Sequence, residues 1–134
     1  MKKRILIVDD EPTTTRLIRL NLEQTDRYEA REENDSLQVI AAAHEFRPDL
    51  ILMDVIMPNL DGGDVVSRLK TDPKLKNIPV VFLTATVRKA EVDKFGGIIG
   101  GFPFLGKPHT AQELIACIQK HLVAPPRPRS FDSV

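Results

Sequence analysis

Asp49-Leu50-Ile51-Leu52-Met53-Asp54 sets four consecutive apolar residues between two acids. A strand with one wet face alternates apolar and polar residues, so an unbroken apolar run reads as a strand covered on both faces. It ends in a loop of turn formers, Met57-Pro58-Asn59-Leu60-Asp61-Gly62-Gly63. Two other runs share its character. Ile5-Leu6-Ile7-Val8 leads into Asp9-Asp10-Glu11, and residues 78–83 lead into Thr84. Amphipathic stretches lie between them. Pro12 suits the first turn of a helix reaching about Gln24, with Leu17, Ile18, Leu20 and Leu22 on its apolar side. Asp35 or Ser36 can cap a helix carrying Leu37, Ile40, Ala41 and Phe46, which Pro48 stops. Val65, Val66 and Leu69 mark a third helix, residues 88–95 a fourth, and Leu114, Ile115, Ile118 and Leu122 a last one over residues 110–122. Residues 28–33 are a strand poor in apolar residues and are expected at a sheet edge. Phe102-Pro103-Phe104-Leu105 is a short strand whose proline lacks an amide donor, which also favours an edge.

Five strand–helix repeats predict an α/β fold with a parallel sheet covered on both faces. A chain of 134 residues, 42% hydrophobic and 28% charged, is one ordinary globular domain. Its formal charge is zero, which removes the electrostatic reason for direct nucleic-acid binding. The single Cys117 forms no internal disulfide and reads as a small buried hydrophobe. The apolar run after Lys2-Lys3-Arg4 is too short for a secretion signal, and no stretch nears the roughly 18 apolar residues of a membrane span. A cytoplasmic protein without membrane insertion is therefore expected. His44, His109 and His121 lack metal-ligand spacing and read as surface residues. Residues 124–134, with Pro125-Pro126-Arg127-Pro128, predict a flexible or polyproline-like tail or linker remnant after a domain of residues 1–123.

In open α/β sheets, sites form beyond the carboxyl ends of the strands. Reading only those ends collects Asp9, Asp10, Asp54, Thr84 and Lys107. Crowded carboxylates resist joint ionisation, and a divalent cation with a preference for oxygen ligands, Mg²⁺, removes the conflict. Mg²⁺ carried on carboxylates works with phosphoryl groups, and an aspartate attacking phosphorus forms an aspartyl phosphate. Each residue also has a plainer reading: Asp9-Asp10 a solvated strand end, Asp54 and Thr84 helix or turn caps, Lys107 a surface lysine.

Taken together, the motifs resemble the response-regulator receiver family. Val8-Asp9-Asp10-Glu11-Pro12 looks like its acidic motif. Asp49 through Pro58 resembles its phosphorylation strand, with Asp61-Gly62 as the turn that follows. Leu83-Thr84-Ala85 and Lys107-Pro108 match its switch hydroxyl and lysine. The resemblance covers residues 3–122. It implies a flavodoxin-like (βα)5 three-layer sandwich with a five-stranded parallel sheet in the order 2-1-3-4-5. It implies phosphoryl transfer to Asp54 from a sensor histidine kinase or phosphotransfer protein. Asp9, Asp10, Asp54 and the Ile56 carbonyl would hold Mg²⁺ or Mn²⁺. Thr84 and Lys107 would bind phosphoryl oxygens. Thr84 moving inward would let Phe104 rotate and reshape the face made by the fourth helix, fifth strand and last helix. A downstream protein would read that face, and a phosphorylation-dependent homodimer could form there.

Four features depart from the family pattern. Ile56, two residues after Asp54, cannot orient a hydrolytic water, and Thr86 is neither acid nor amide; a long-lived phosphoryl group is expected. Gly96, Gly97, Gly100 and Gly101 predict a short, frayed or displaced fourth helix. The spacing from Thr84 to Lys107 is also about one residue longer than usual. The leading expectation is a signalling module, not an enzyme, that assists its own phosphorylation and dephosphorylation. Its competitors are a regulatory receiver fragment of a larger transcription factor or enzyme, a receiver that binds without phosphate, and an aspartyl-nucleophile phosphatase. The last places a second acid where this chain has Ile56.

Overall fold

The unbroken apolar runs form the middle of the sheet. In a computed structural model describing residues 2–84, 98–99, 102–106 and 109–122, β1 (Lys3–Val8), β3 (Leu50–Asp54) and β4 (Val80–Thr84) lie side by side. β2 (Tyr28–Glu33) flanks β1, and the other flank of the parallel sheet is Phe102–Gly106. These five strands are parallel. Between β4 and Phe102, the two-residue strand β5 (Ile98–Ile99) turns back on β6 (Phe102–Gly106) as an antiparallel pair. The order β2-β1-β3-β4-β6 is the expected 2-1-3-4-5. The outer β5 was not foreseen. Pro103 sits opposite Ile98 in that pair, so its strand is the edge of the parallel ladder but not of the whole sheet. The expected helix over 88–95 and the paired glycines Gly96, Gly97, Gly100 and Gly101 lie outside the described residues, as do residues 123–134.

Alternation along the strands explains the three layers. Ile5, Ile7, Leu50, Leu52, Val81 and Leu83 face one side. There they meet Ile18 and Leu22 of α1 (Pro12–Glu23) and Leu114 and Ile118 of α4 (Ala111–Leu122). Leu6, Val8, Ile51, Met53, Val80 and Phe82 face the other side. They meet Val39, Ala42 and Ala43 of α2 (Val39–Phe46) and Val65, Val66 and Leu69 of α3 (Gly62–Thr71). Each fully buried aliphatic side chain contributes about 1.5–3 kcal/mol relative to exposure.

Helix faces differ in detail from the sequence reading. α1 buries Thr15, Ile18 and Leu22, a stripe at the spacing of helical turns, while Leu17 and Leu20 are 61% and 51% exposed. Asp35 does cap, accepting from Leu37 N at 3.0 Å, but it caps a 3-10 turn (Ser36–Gln38) that precedes α2. That turn leaves Leu37 exposed and gives the buried side of α2 to Val39, Ala42 and Ala43. α4 starts with a reciprocal cap: Glu113 N donates to Thr110 Oγ1 at 3.0 Å, and Thr110 N to a Glu113 carboxylate oxygen at 2.8 Å. Cys117 is half-buried rather than buried, and desolvation pushes its thiol pKa up despite nearby Lys120.

Candidate functional site

Strand register brings the acids together. Val8 pairs with Met53, so Asp9 and Asp54 leave neighbouring strands at the same level. Oxygens of Asp9, Asp10 and Asp54 all lie within 4.8 Å of one another. Asp9 is buried; Asp10 and Asp54 are half-buried. Like charges at this distance repel, and an oxygen-binding divalent cation is what relieves them. The donor set is all carboxylate, so the cluster fits Mg²⁺ by charge and by ligand chemistry.

On the other side of Asp54 the register steps by one residue per strand. Asp54 pairs with Leu83, and Thr84 pairs with Gly106, the residue before Lys107. The backbone of Thr84 thus ends β4 beside the site. Lys107, Pro108, Ala85 and Thr86 lie outside the described residues. Phe104 is 4% exposed and packs in the core with Val80 and Phe82. Its neighbour Phe102 meets the Phe82 ring edge-on, with centroids 5.9 Å apart. The Lys70 ammonium lies 5.5 Å from the Phe102 ring centre, and burial lowers its pKa.

The loop after β3 has its own scaffold. Gly62 N donates to Val55 O at 2.7 Å, drawing the start of α3 under the strand end. A Cβ at Gly62 would lie 2.6 Å from the Asp54 carbonyl oxygen and 2.9 Å from the Phe82 ring, so only glycine fits. Asp61 caps α3 through a capping box with Asp64. Ser36 Oγ donates to Pro58 O at 2.8 Å and accepts from Leu60 N at 3.2 Å, tying the loop to the chain after β2. Val55 N donates to Asp54 Oδ1 at 3.0 Å. The Ile56 side chain is 60% exposed, whereas Met57 beside it is buried.

Several supporting residues carried no signal in the sequence. Asn34 Nδ2 donates to the Asp9 carbonyl at 2.8 Å and to Thr15 Oγ1 at 3.0 Å. Thr15 also meets Glu32 at 2.7 Å, and Arg19 Nε donates to Glu32 at 2.5 Å. Desolvation raises the Glu32 pKa, but hydrogen bonds from Arg19 and Thr15 and the Arg19 charge outweigh it and hold the carboxyl below its usual range. His44, read as a plain surface residue, is partnered: its Nε2 lies 2.6 Å from Asp72 Oδ2. Among the described residues, no helix is long and apolar enough to cross a membrane.

Comparison with known proteins follows the same lines. A family model described as "Response regulator receiver domain" matches residues 5–119. The polar-differentiation response regulator DivK of Brucella anthropi is 33% identical, over 91% of this chain and 98% of its own length. The DNA-binding dual master transcriptional regulator RpaA of Synechocystis sp. is 36% identical over 87% of this chain. The chain spans only 47% of RpaA and 51% of the DNA-binding response regulator MtrA of Mycolicibacterium smegmatis. Among solved structures, a signal receiver domain of a signal transduction histidine kinase from Syntrophus aciditrophicus is 31% identical, with a TM-score of 0.77 and 96% of each chain covered. The chemotaxis protein CheY4 of Vibrio cholerae is 26% identical, with a TM-score of 0.75, covering 90% of this chain and 98% of its own.

Proposed function

The chain belongs to the response regulator receiver family of two-component signalling, and from that premise we propose that Asp54 accepts a phosphoryl group from a sensor histidine kinase or phosphotransfer protein. The observation that carries this is the meeting of Asp9, Asp10 and Asp54 at the ends of β1 and β3. An Asp54 carboxylate oxygen attacks phosphorus, the phosphorus–nitrogen bond of the phosphohistidine breaks, and the departing imidazole nitrogen takes up a proton. This transfer needs positioning and charge neutralisation more than a strong base. Asp9, Asp10, Asp54 and the Ile56 carbonyl would hold Mg²⁺, or Mn²⁺ in its place, which neutralises the charge gathered by the acids and the phosphoryl oxygens.

The Lys107 ammonium pairs with one phosphoryl oxygen, and the Thr84 hydroxyl donates to another. The group adds about −1.5 to −2 charges. Thr84 drawn inward leaves room beneath it, and the buried Phe104 is the state that phosphorylation would select. The face beyond β4 and β6 then changes for a downstream protein or a second copy of the chain. Exposed, aliphatic Ile56 offers nothing to hold a hydrolytic water, which supports a long-lived phosphoryl group. The same residue stands where an aspartyl phosphatase needs an acid, so the module signals rather than turns over phosphoesters. Residues 1–123 form the receiver in this reading and residues 124–134 its tail or linker, in a cytoplasmic protein.

Incubation with acetyl phosphate and Mg²⁺ should add one phosphoryl group by intact mass, and Asp54→Asn should abolish it. Equal labelling of that variant would overturn the assignment. A second reading, a regulatory segment of a longer regulator, draws on the half-length coverage of RpaA and MtrA. Coding sequence continuing past Val134 would decide for it.

A further inference from the structure

We infer that Asn34 is a positioning residue for the Asp9–Asp10 turn, oriented by a polar chain that runs through buried Thr15 to the Glu32–Arg19 ion pair. The inference rests on the proposed Mg²⁺ site. It concerns how the chain keeps two adjacent acids aimed at a third across neighbouring strands.

Hydrogen counting gives the chain a direction. Thr15 is fully buried and its hydroxyl has one hydrogen. Two oxygens compete for it: Glu32 Oε1 at 2.7 Å and the Pro12 carbonyl at 3.2 Å. The carboxylate is charged and closer, so it takes the hydrogen. Thr15 Oγ1 must then accept from its remaining neighbour, the Asn34 amide, at 3.0 Å. The Asp9 carbonyl is also an acceptor, 2.8 Å from the same nitrogen. Both Asn34 amide hydrogens are therefore committed, and the amide cannot turn its oxygen toward either partner without losing both bonds. At the far end Arg19 holds Glu32 in place, with Nε 2.5 Å from Oε2. Arg19 is braced in turn by Glu23 at 3.0 Å.

The Asp9 carbonyl belongs to the peptide that joins Asp9 to Asp10. Bonding it fixes the plane from which the Asp10 side chain departs. Two further bonds steady the turn: Asp9 N donates to Glu33 O at 3.2 Å, and Glu11 N to Asp9 Oδ1 at 3.0 Å. Of these partners, Asn34 alone reaches that carbonyl through a side chain, so substitution can remove its bond while leaving the backbone intact.

Mg²⁺ titration followed by amide NMR tests the inference on the full chain. Asn34→Ala should weaken Mg²⁺ binding about tenfold, the low end for loss of a partner that orients metal ligands. Thr15→Val, which keeps shape but removes the hydroxyl, should weaken it in the same direction, and Thr15→Ser should restore it. The thermal midpoint of each metal-free variant separates positioning from lost fold. If Asn34→Ala does not fold, the Thr15→Val and Thr15→Ser pair decides. Mg²⁺ affinity unchanged in Asn34→Ala, or Thr15→Ser as weak as Thr15→Val, overturns the inference while leaving the acceptor role of Asp54 standing. A wild-type chain that binds no Mg²⁺ removes the metal reading and this inference together.

Discussion

The end of β3 with the loop that follows it and the turn after β1 carry the acids of one site, yet the forces that hold them are weighted differently. The β3 loop rests mainly on close packing, to which Ser36 adds its bonds with Pro58 O and Leu60 N. Gly62 presses against the Asp54 carbonyl and the Phe82 ring, and the Asp61 capping box starts α3 beneath. The β1 turn is held by side-chain polar bonds from Asn34 and, behind it, Thr15, Glu32 and Arg19. Packing tolerates little, so damage to the first should appear as lost stability. Polar partners orient more than they stabilise, since each hydrogen bond nets only about 0.5–1.5 kcal/mol. Damage to the second should appear first in metal binding.

The largest expected effect is at Gly62. Gly62 is the first residue of α3, so Gly62→Ala gains less than the about 0.5–1 kcal/mol of a helix-interior position. The contact at 2.6 Å is with backbone and cannot swing away. Overpacking of this kind costs about 1–3 kcal/mol, so a net loss is expected from urea unfolding. A variant as stable as the parent would break the packing account of this loop. Next comes Asp61→Ala, which removes the cap and should cost about 1 kcal/mol by the same measurement. Its Mg²⁺ affinity should change less than that of Asn34→Ala; the reverse order would erase the contrast between the two regions.

A smaller effect concerns pH. The folded Glu32 carboxyl titrates below its ordinary value of 4.5. A depressed acid contributes stability that is complete above that ordinary value and is lost as pH falls through the folded one. Glu32→Gln should therefore lower stability most at neutral pH and flatten the acid side of the stability–pH curve below about pH 4.5, so that variant and parent converge as the pH falls. An unchanged acid limb would show that Arg19 and Glu32, both partly exposed, contribute nothing measurable. Smallest is Leu17→Gln on the open side of α1, expected within about 0.5 kcal/mol of the parent. A larger loss would mean that this face is covered after all.

How far the sequence could be read depended on the range of the physics involved. Leu50 to Met53 declared a doubly covered strand because burial on both faces leaves no polar position in the run. The strand-end acids were legible because sheet topology places such ends together whatever the loops do. Leu17 and Leu20 misled because a helix counts angle, not hydrophobicity, and the sheet lies under Thr15, Ile18 and Leu22. Leu37 misled for a similar reason, since the 3-10 turn before α2 rotated it outward. The strand β5 escaped because Ile98-Ile99 is too short to show any period.

By itself, then, the sequence determined the α/β class, the family, and the identity of the three clustered acids, because apolar periodicity and strand-end chemistry are local properties. The tertiary structure alone decided how those acids are held. Asn34, Thr15 and Glu32 lie far along the chain from the partners they serve. No spacing rule links Asn34 to the Asp9 carbonyl until β2 is laid beside β1 in register, Val8 against Glu33.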